Sequence, residues 1–430
     1  MDNKEGDANM VNELALKGGP KAIECENEKL FHWPIVTEED FQAVNAVIAD
    51  GGRPSATDIT MEFEKEWAAY NGVKYALGTC NGPAALAAGM WAIGVGAGDE
   101  VIAPSITYWA TCACAVQLGA SVRFAEVDPD TLCIDPADAE RKITPRTRAI
   151  VVVNYGGYPA DMDRINAIAH RHGVKVIEDV SHAQGALYKG RMCGTLGDIS
   201  ATSMMGAKAF AVGEGGMVLT DSRELYEKCM LFGHYERLGA SRYSSNVEHL
   251  EALPEYAPYI GVPMGGVKHR MNQTCSAMGR VQLKYYPERM AEIQKSMNYF
   301  WDGLADLKGL HAHRNQNPGC TMGGWYRPRG LFRSEELDGL DCERFCEAIR
   351  AEGIHMGSGA NAPLHLHPYF TQADPLHIGR KPLKQDELPV SSAIAGTTCS
   401  TPWFKHFRPE IIDRYIEAYR KVLTHYQELL

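Results

Sequence analysis

At 430 residues, with 45% hydrophobic and 23% charged content, the chain is long enough to bury a sizeable core and to divide into about two domains. A formal net charge of -11, from 43 basic and 54 acidic residues, argues against a nucleic-acid surface and supplies no basic run for anionic lipid. No apolar run reaches the roughly 18 residues of a membrane span, and the polar start Met1-Asp-Asn-Lys-Glu-Gly-Asp7 has no signal-peptide core, so a cytoplasmic protein acting on small molecules is expected.

Twelve cysteines are scattered without a CxxC pair or matching histidine spacing, which reads as reduced thiols and no metal site. Residues 1–20 are polar and Gly-rich, ending in Leu16-Lys-Gly-Gly-Pro-Lys21, and are expected to be a flexible lead-in. Thr37-Glu-Glu-Asp40 resembles a capping box at the start of a helix ending near Ala49, and a second helix is expected over Met61–Tyr70. The pattern then alternates. Strands are expected at Tyr75–Thr79, Val101–Pro104, Val122–Val127, Ala149–Asn154 and Val174–Val180, with helices over 83–95, 108–118 and 161–172. Such alternation implies an α/β fold whose mainly parallel sheet is covered on both faces, with its site beyond the carboxyl ends of the strands.

Four positions just after strands carry candidate chemistry. Asn81-Gly82-Pro83-Ala84 follows the first strand, and a helix starting there would aim N–H groups at an anion such as phosphate, although an ordinary strand-to-helix turn fits equally. Tyr108-Trp109 is an aromatic pair at a helix start, able to stack on a planar cofactor or simply to pack in the core. Glu178-Asp-Val-Ser-His182 places carboxylates at a strand end. Asp179 could keep a pyridine nitrogen protonated, and His182 could either bond a cofactor's phenolic oxygen or sit on a surface loop.

The fourth is Ser203-Met-Met-Gly-Ala-Lys208, followed by Gly213-Glu-Gly-Gly216 and an expected strand Met217–Thr220. Lys208 has no acid or base within five residues on either side. A lysine desolvated there would lose its proton readily and could attack an aldehyde, as pyridoxal phosphate chemistry requires. The same window also suits a surface lysine on a Gly/Ala-rich loop. The order Asp179, Ser203, Lys208 is more restrictive than any one of them.

From about residue 15 to its end the chain resembles the DegT/StrS-type sugar aminotransferases, a pyridoxal-phosphate family of fold-type I. The matching motifs are Gly82-Pro-Ala-Ala-Leu86, Pro104-Ser-Ile-Thr-Tyr-Trp-Ala-Thr111, Gly157-Tyr-Pro-Ala-Asp-Met-Asp163, Glu178-Asp-Val-Ser-His-Ala183, Ser203-Met-Met-Gly-Ala-Lys208 and Gly213-Glu-Gly-Gly216. Arg270-Met-Asn-Gln273, Gln282-Leu283 and Pro363-Leu-His-Leu-His-Pro-Tyr-Phe370 follow in the family's order. The resemblance implies a large cofactor-binding α/β domain, residues 21–288, and a smaller C-terminal α+β domain, residues 289–430. It implies that Lys208 forms the Schiff base, Asp179 partners the pyridine nitrogen and His182 stands beside the phenolic oxygen. Tyr108 would stack on the ring, while Ser203 and the turn Gly82, Pro83, Ala84 would hold phosphate. It also implies a homodimer with shared active sites, in which Lys268 and Arg270 serve the neighbouring subunit.

Three departures from the family pattern stand out. Pro83 replaces a common threonine and lacks both hydroxyl and N–H. Lys268 stands where asparagine is frequent, and its charge is expected to offset the donors lost at Pro83. Asn154-Tyr-Gly-Gly-Tyr-Pro159 replaces a His-aromatic-Gly run on the substrate side.

Retention of Lys208, which some relatives replace by histidine, favours ping-pong transamination over sugar dehydration. Past Arg289 the sequence turns to amphipathic helices and short strands, and the tryptophan and arginine of Trp325-Tyr-Arg-Pro-Arg329, with His365, His367 and Arg270, are candidates for the acceptor pocket. The His365-Leu-His367 pair could suggest a metal, but no third ligand of suitable spacing stands nearby; for Trp325, simple packing is the competing reading. The helix Pro409–Leu430 carries apolar residues at helical spacing and should face a core. The lead-in and length resemble members acting on keto-cyclitols such as scyllo-inosose or on free keto-sugars, with glutamine or glutamate as donor. The alternatives are a nucleotide-linked ketosugar acceptor, a pyridoxal-dependent dehydratase or epimerase, and a non-catalytic cofactor-binding regulator.

Overall fold

A computed structural model of the chain describes residues 13–24, 28–51, 58–234, 237, 252–372 and 383–430. Helix α1 (Glu38–Ala49) starts where the Asp40 carboxylate accepts from the Thr37 N–H and hydroxyl, both at 2.8 Å, and α2 (Asp58–Asn71) follows. The alternating region then forms β1 (Tyr75–Thr79), α3 (Gly82–Ala92), β2 (Glu100–Pro104), α4 (Ala110–Gln117), β3 (Ser121–Ala125), β4 (Thr147–Val153), α5 (Met162–His172) and β5 (Lys175–Asp179). Strands β6 (Ile199–Ser203) and β7 (Gly216–Thr220) complete a seven-stranded sheet in the order β1-β7-β6-β5-β4-β2-β3. Only β7 runs against its neighbours. The parallel strands read as near-continuous apolar runs because helices cover both faces, and all five residues of β2 are buried. Helix α3 is mostly alanine and glycine with no exposed face, which lets it lie flat on the sheet.

Beyond α6 (Arg223–Gly233), the 30-residue helix α7 (Gln273–Asp302) leads to a three-stranded antiparallel sheet of β8 (Leu310–Ala312), β9 (Arg329–Phe332) and β10 (Thr398–Ser400). Helices α8 (Cys342–Ala351) and α9 (Pro409–Thr424) pack with that sheet around Phe300, Trp301, Phe332, Phe345 and Tyr419. In α9 the residues at helical spacing are buried apart from the half-buried Ile411. The expected boundary at 288/289 falls inside α7, and Ile23 and Leu30 join the C-terminal cluster rather than the sheet's core.

The expected flexible lead-in is corrected in part. Residues 1–12 lie outside the described residues, but Leu14 is fully buried and Ala15–Lys17 forms a helical turn. The cause is Glu352, a fully buried carboxylate at the end of α8. It accepts from the Ala15 N–H at 2.9 Å, the Ala22 N–H at 3.1 Å and the Lys421 ammonium at 3.1 Å. Glu352→Ala should therefore cost about 2–4 kcal/mol by leaving the Ala15 and Ala22 N–H groups unpaired and removing the carboxylate from the half-buried Lys421 ammonium, which keeps the Pro20 carbonyl. A fall in the urea midpoint for E352A, with a smaller one for E352Q, checks this.

Candidate active site

The carboxyl ends of β1, β5 and β6 open onto one cavity of ≈ 420 Å³, within the range of small-molecule sites. Asp179 and Glu178 are neighbours on β5, so alternation sends them to opposite faces. Asp179 faces the cavity, where its Oδ2 accepts from the Thr111 hydroxyl at 2.7 Å and its Oδ1 from the Ser181 N–H at 3.1 Å. Thr107 is 2.8 Å from Thr111 and extends the chain of hydroxyls behind it. Glu178 points the other way and accepts N–H groups from Gly194, Leu196 and Gly197.

Lys208 sits on the turn after β6, with its N–H donated to the Met205 carbonyl at 2.8 Å. Its side chain is buried, and the Nζ lies 4.0 Å from the centroid of the Tyr326 ring. Burial lowers its pKa to about 8, against the raising effect of Asp179, and the Arg327 charge lowers it further. His182 is also buried, and burial with the charges of Lys208, Arg327 and Arg329 holds its pKa well below the usual imidazole value. The ring is therefore neutral. Its Nδ1 takes the Gly156 N–H at 3.4 Å, which assigns the proton to Nε2.

The turn expected to hold phosphate presents fewer donors than a helix N-terminus usually does. Asn81 caps α3 with its Oδ1 on the Ala84 N–H at 2.8 Å, and Pro83 has no N–H, so the first turn presents the Gly82 N–H. Ala84 consequently offers no donor to the cavity, contrary to the expectation. A Cβ at Gly82 would stand 2.7 Å from the Ser203 Cβ, and this contact brings the turn and the Ser203 hydroxyl together. Pyridoxal phosphate fits this donor set. It would find a desolvated amine, a fixed carboxylate, a neutral imidazole donor, and serine and glycine donors on one cavity wall.

The structure thus brings Gly82, Pro83, Tyr108, Asp179, His182, Ser203 and Lys208 to one cavity. Tyr108 is about half exposed there, beside Trp109 at 5.0 Å. Five expected residues stand elsewhere. Trp325 takes a left-handed φ of 54° that carries its indole into the C-terminal core, and the next two residues, Tyr326 and Arg327, form the wall instead. His365 is buried between the hydroxyls of Ser105 at 2.7 Å and Ser392 at 3.2 Å. His367 is exposed and caps a short helix by accepting the Tyr369 N–H at 3.1 Å. Arg270 forms a β-bridge with Thr79, and Lys268, two residues earlier, is exposed; neither lines the cavity of a single chain.

Sequence reasoning missed Tyr326 and Asn361; it named the run 154–159 for the substrate side and the arginine of the run 325–329 for the acceptor pocket without singling out Tyr155, Gly156 or Arg327, and all five residues line the cavity. The Tyr155 hydroxyl donates to the Asn361 Oδ1 at 2.7 Å. Gly156-Gly157 was a usable signal: Gly157 has φ 98°, and a Cβ there would meet the Met322 carbonyl oxygen, so glycine lets this loop approach the segment bearing Tyr326. Arg327 also has a positive φ, 47°, although it precedes Pro328, a position that ordinarily favours extended backbone. Two left-handed non-glycine residues in one run cost on the order of 1–3 kcal/mol each and concentrate at functional sites. Among the described residues, no group of three or more His, Cys, Asp or Glu is placed to hold a metal ion, and no helix is long and apolar enough to cross a membrane.

This sheet with its desolvated lysine defines an aminotransferase of fold-type I. Residues 34–420 match the DegT/DnrJ/EryC1/StrS aminotransferase family, and the chain belongs to that family. It is 37% identical over 369 residues to GDP-perosamine synthase of Caulobacter vibrioides, covering 85% of this chain and 90% of that one. It is 33% identical over 322 residues to L-glutamine:2-deoxy-scyllo-inosose aminotransferase of Streptoalloteichus tenebrarius, covering 72% and 71%. Among solved structures, DesI in the presence of its TDP-sugar product superposes with a TM-score of 0.80 at 27% identity, covering 97% of this chain and 98% of that one.

The Lys208 shift has a sign that can be checked. Below pH 8 its amine is protonated in both folded and unfolded chains, and burial penalises the fold in full. Between pH 8 and the ordinary value of 10.5, the unfolded chain binds the extra proton, so the penalty shrinks as pH rises. Cofactor-free Lys208→Met should therefore exceed the wild type in stability by about 3 kcal/mol below pH 8. That excess should decline towards pH 10.5, as measured by denaturant unfolding of both proteins across the range.

Proposed function

We propose that this aminotransferase uses pyridoxal phosphate to carry an amino group from glutamine or glutamate to a keto-cyclitol or free keto-sugar of the scyllo-inosose kind, as a cytoplasmic homodimer with shared sites. The observation that carries the reading is the Lys208 amine, buried and held near pKa 8, in the same cavity as the anchored Asp179 carboxylate. Bound there, the cofactor supplies an aldehyde carbon that exchanges amines and a ring that takes up electrons from the substrate's α carbon.

The protein's part is acid–base work and positioning. At pH 7 about a tenth of Lys208 is unprotonated, against well under a thousandth for an ordinary lysine, and its Nζ can take the proton from the donor's α carbon and later return one to the acceptor. Asp179 would hold the ring nitrogen's proton, with Thr111 and Ser181 fixing the carboxylate. The His182 Nε2–H would donate to the phenolic oxygen and Tyr108 would cover the ring. Ser203 and the Gly82 N–H would bind phosphate, with Lys268 and Arg270 reaching the neighbouring subunit's phosphate. The described cysteines are all free, consistent with a reducing compartment.

The acceptor assignment draws on the 2-deoxy-scyllo-inosose relative and on the polar wall of Tyr155, Asn361 and Glu214, which suits a polyhydroxylated ring. A nucleotide-linked ketosugar is the second reading, favoured by the higher identity to GDP-perosamine synthase. Absorbance titration of the purified holoenzyme separates them. Glutamine should convert the cofactor to its amine form, and scyllo-inosose should restore the aldehyde form. Restoration by nucleotide-linked ketosugars alone would replace the acceptor, and no conversion by any amino donor would remove the aminotransferase reading. Asp179→Asn should lower turnover roughly 100-fold or more while leaving the fold intact. Lys268→Ala should weaken cofactor retention, read as faster loss of cofactor on dialysis.

A further inference from the structure

Of the side chains lining the cavity, Lys208 and Arg327 are the cations and Asp179 and Glu214 the carboxylates, with His182 neutral. Lys208 is committed to carbonyl chemistry and Asp179 is held by Thr111 and Ser181. Arg327 is exposed at the cavity wall and forms no hydrogen bond or ion pair with any described residue; the Tyr326 ring lies 5.5 Å from its guanidinium. Its field nevertheless reaches the reactive amine and the imidazole, since it lowers the pKa of both. The backbone is held left-handed at Arg327 and at Trp325, and this aims consecutive side chains apart: the indole into the core, Tyr326 over Lys208 and the guanidinium to the cavity. A permanently charged planar fork, unpaired and presented by an unusual backbone, suits a bidentate anion.

We propose that Arg327 binds the α-carboxylate of the amino donor. The proposal rests on the aminotransferase reading and adds the residue that recognises the donor. Both substrates of a ping-pong enzyme enter one cavity in turn. An α-amino acid carries a carboxylate on the carbon whose proton Lys208 must reach, whereas a keto-cyclitol carries hydroxyls. Arg327 therefore contributes to one half-reaction far more than to the other, a split that a merely structural residue would not produce.

The test compares wild type with R327M and R327K as holoenzymes in single-turnover absorbance runs. With glutamine, R327M should lose about 10- to 100-fold in the rate constant per unit concentration. With an amino-inositol, which has no carboxylate, its loss should be much smaller, set only by removal of the guanidinium's charge from the surroundings of Lys208 and His182. R327K should recover part of the glutamine loss. A second readout needs no turnover: calorimetric titration with glutarate, a carboxylate without an amine, should give binding to the wild type that R327M lacks. Equal losses with both amines, unchanged use of glutamine, or undiminished glutarate binding would each overturn the proposal. So would a defect confined to nucleotide-linked ketosugars, which would assign the guanidinium to a diphosphate. If no amine converts the wild-type cofactor, the aminotransferase reading fails, and glutarate binding still reports on Arg327 separately.

Discussion

The desolvation of one amine governs how the rest of this site is arranged. An ammonium buried without a partner is costly, and Lys208 is buried with an aromatic face at 4.0 Å and a carboxylate in the same cavity rather than in a tight ion pair. Closer contact with Asp179 would raise the pKa and keep the proton on nitrogen. Instead Asp179 is occupied by Thr111 and Ser181, so its charge is held in place while its attraction for Lys208 stays secondary to burial. The neutral imidazole of His182 follows from the same burial. A single low-dielectric pocket thus holds an amine of lowered pKa and a neutral imidazole together.

Strand alternation makes that pocket possible. On β5, Asp179 turns to the cavity and Glu178 to the other face, where three N–H groups of the 194–197 turn satisfy it. Those bonds fasten the segment that leads into β6 and so help to set Ser203 against Gly82. Gln184 adds a second brace, donating to the Ser203 carbonyl at 2.6 Å and accepting the Phe210 N–H at 3.0 Å, on either side of Lys208.

Much of this was legible in the sequence because the sheet is built from local signals. Apolar runs separated by amphipathic helices give parallel strands, and chemistry after each strand follows from strand direction; β1 has the bounds expected from its residues, and β5 differs by one residue at each end. What depended on distant packing was not legible. Tyr326 and Arg327 reach the cavity through left-handed backbone at Trp325 and Arg327, residue types that give no sign of it, so the run 325–329 was legible as a pocket segment but not which of its side chains turn inward. Asn361 arrives from a loop some two hundred residues from its partner Tyr155, with no local pattern to mark it. The Ala84 N–H looked available because the sequence does not say whether the Asn81 side chain turns back to cap its own helix. Segment 13–20 looked mobile because its anchor, Glu352, lies at the other end of the chain.

That last point bears on the site itself. The N-terminal segment continues to Trp33, whose indole N–H donates to the Lys208 carbonyl at 3.1 Å. From the C-terminal end, Trp403 donates to the Gly324 carbonyl at 2.9 Å and meets the Tyr326 ring edge-on at 5.6 Å. Lys405 joins the two: its N–H bonds to the Leu30 carbonyl at 3.1 Å, and its buried ammonium lies 3.7 Å from the Trp403 ring and 5.6 Å from that of Trp33. Burial lowers the Lys405 pKa to about 7, so this amine too is strained by desolvation, and the indole faces are its stabilising neighbours. One indole therefore fixes the backbone of Lys208 and the other fixes the ring over its side chain. The two ends of the chain, remote from every strand that carries the site's chemistry, hold the reactive amine from behind. Loosening either end should relax the burial on which its lowered pKa depends.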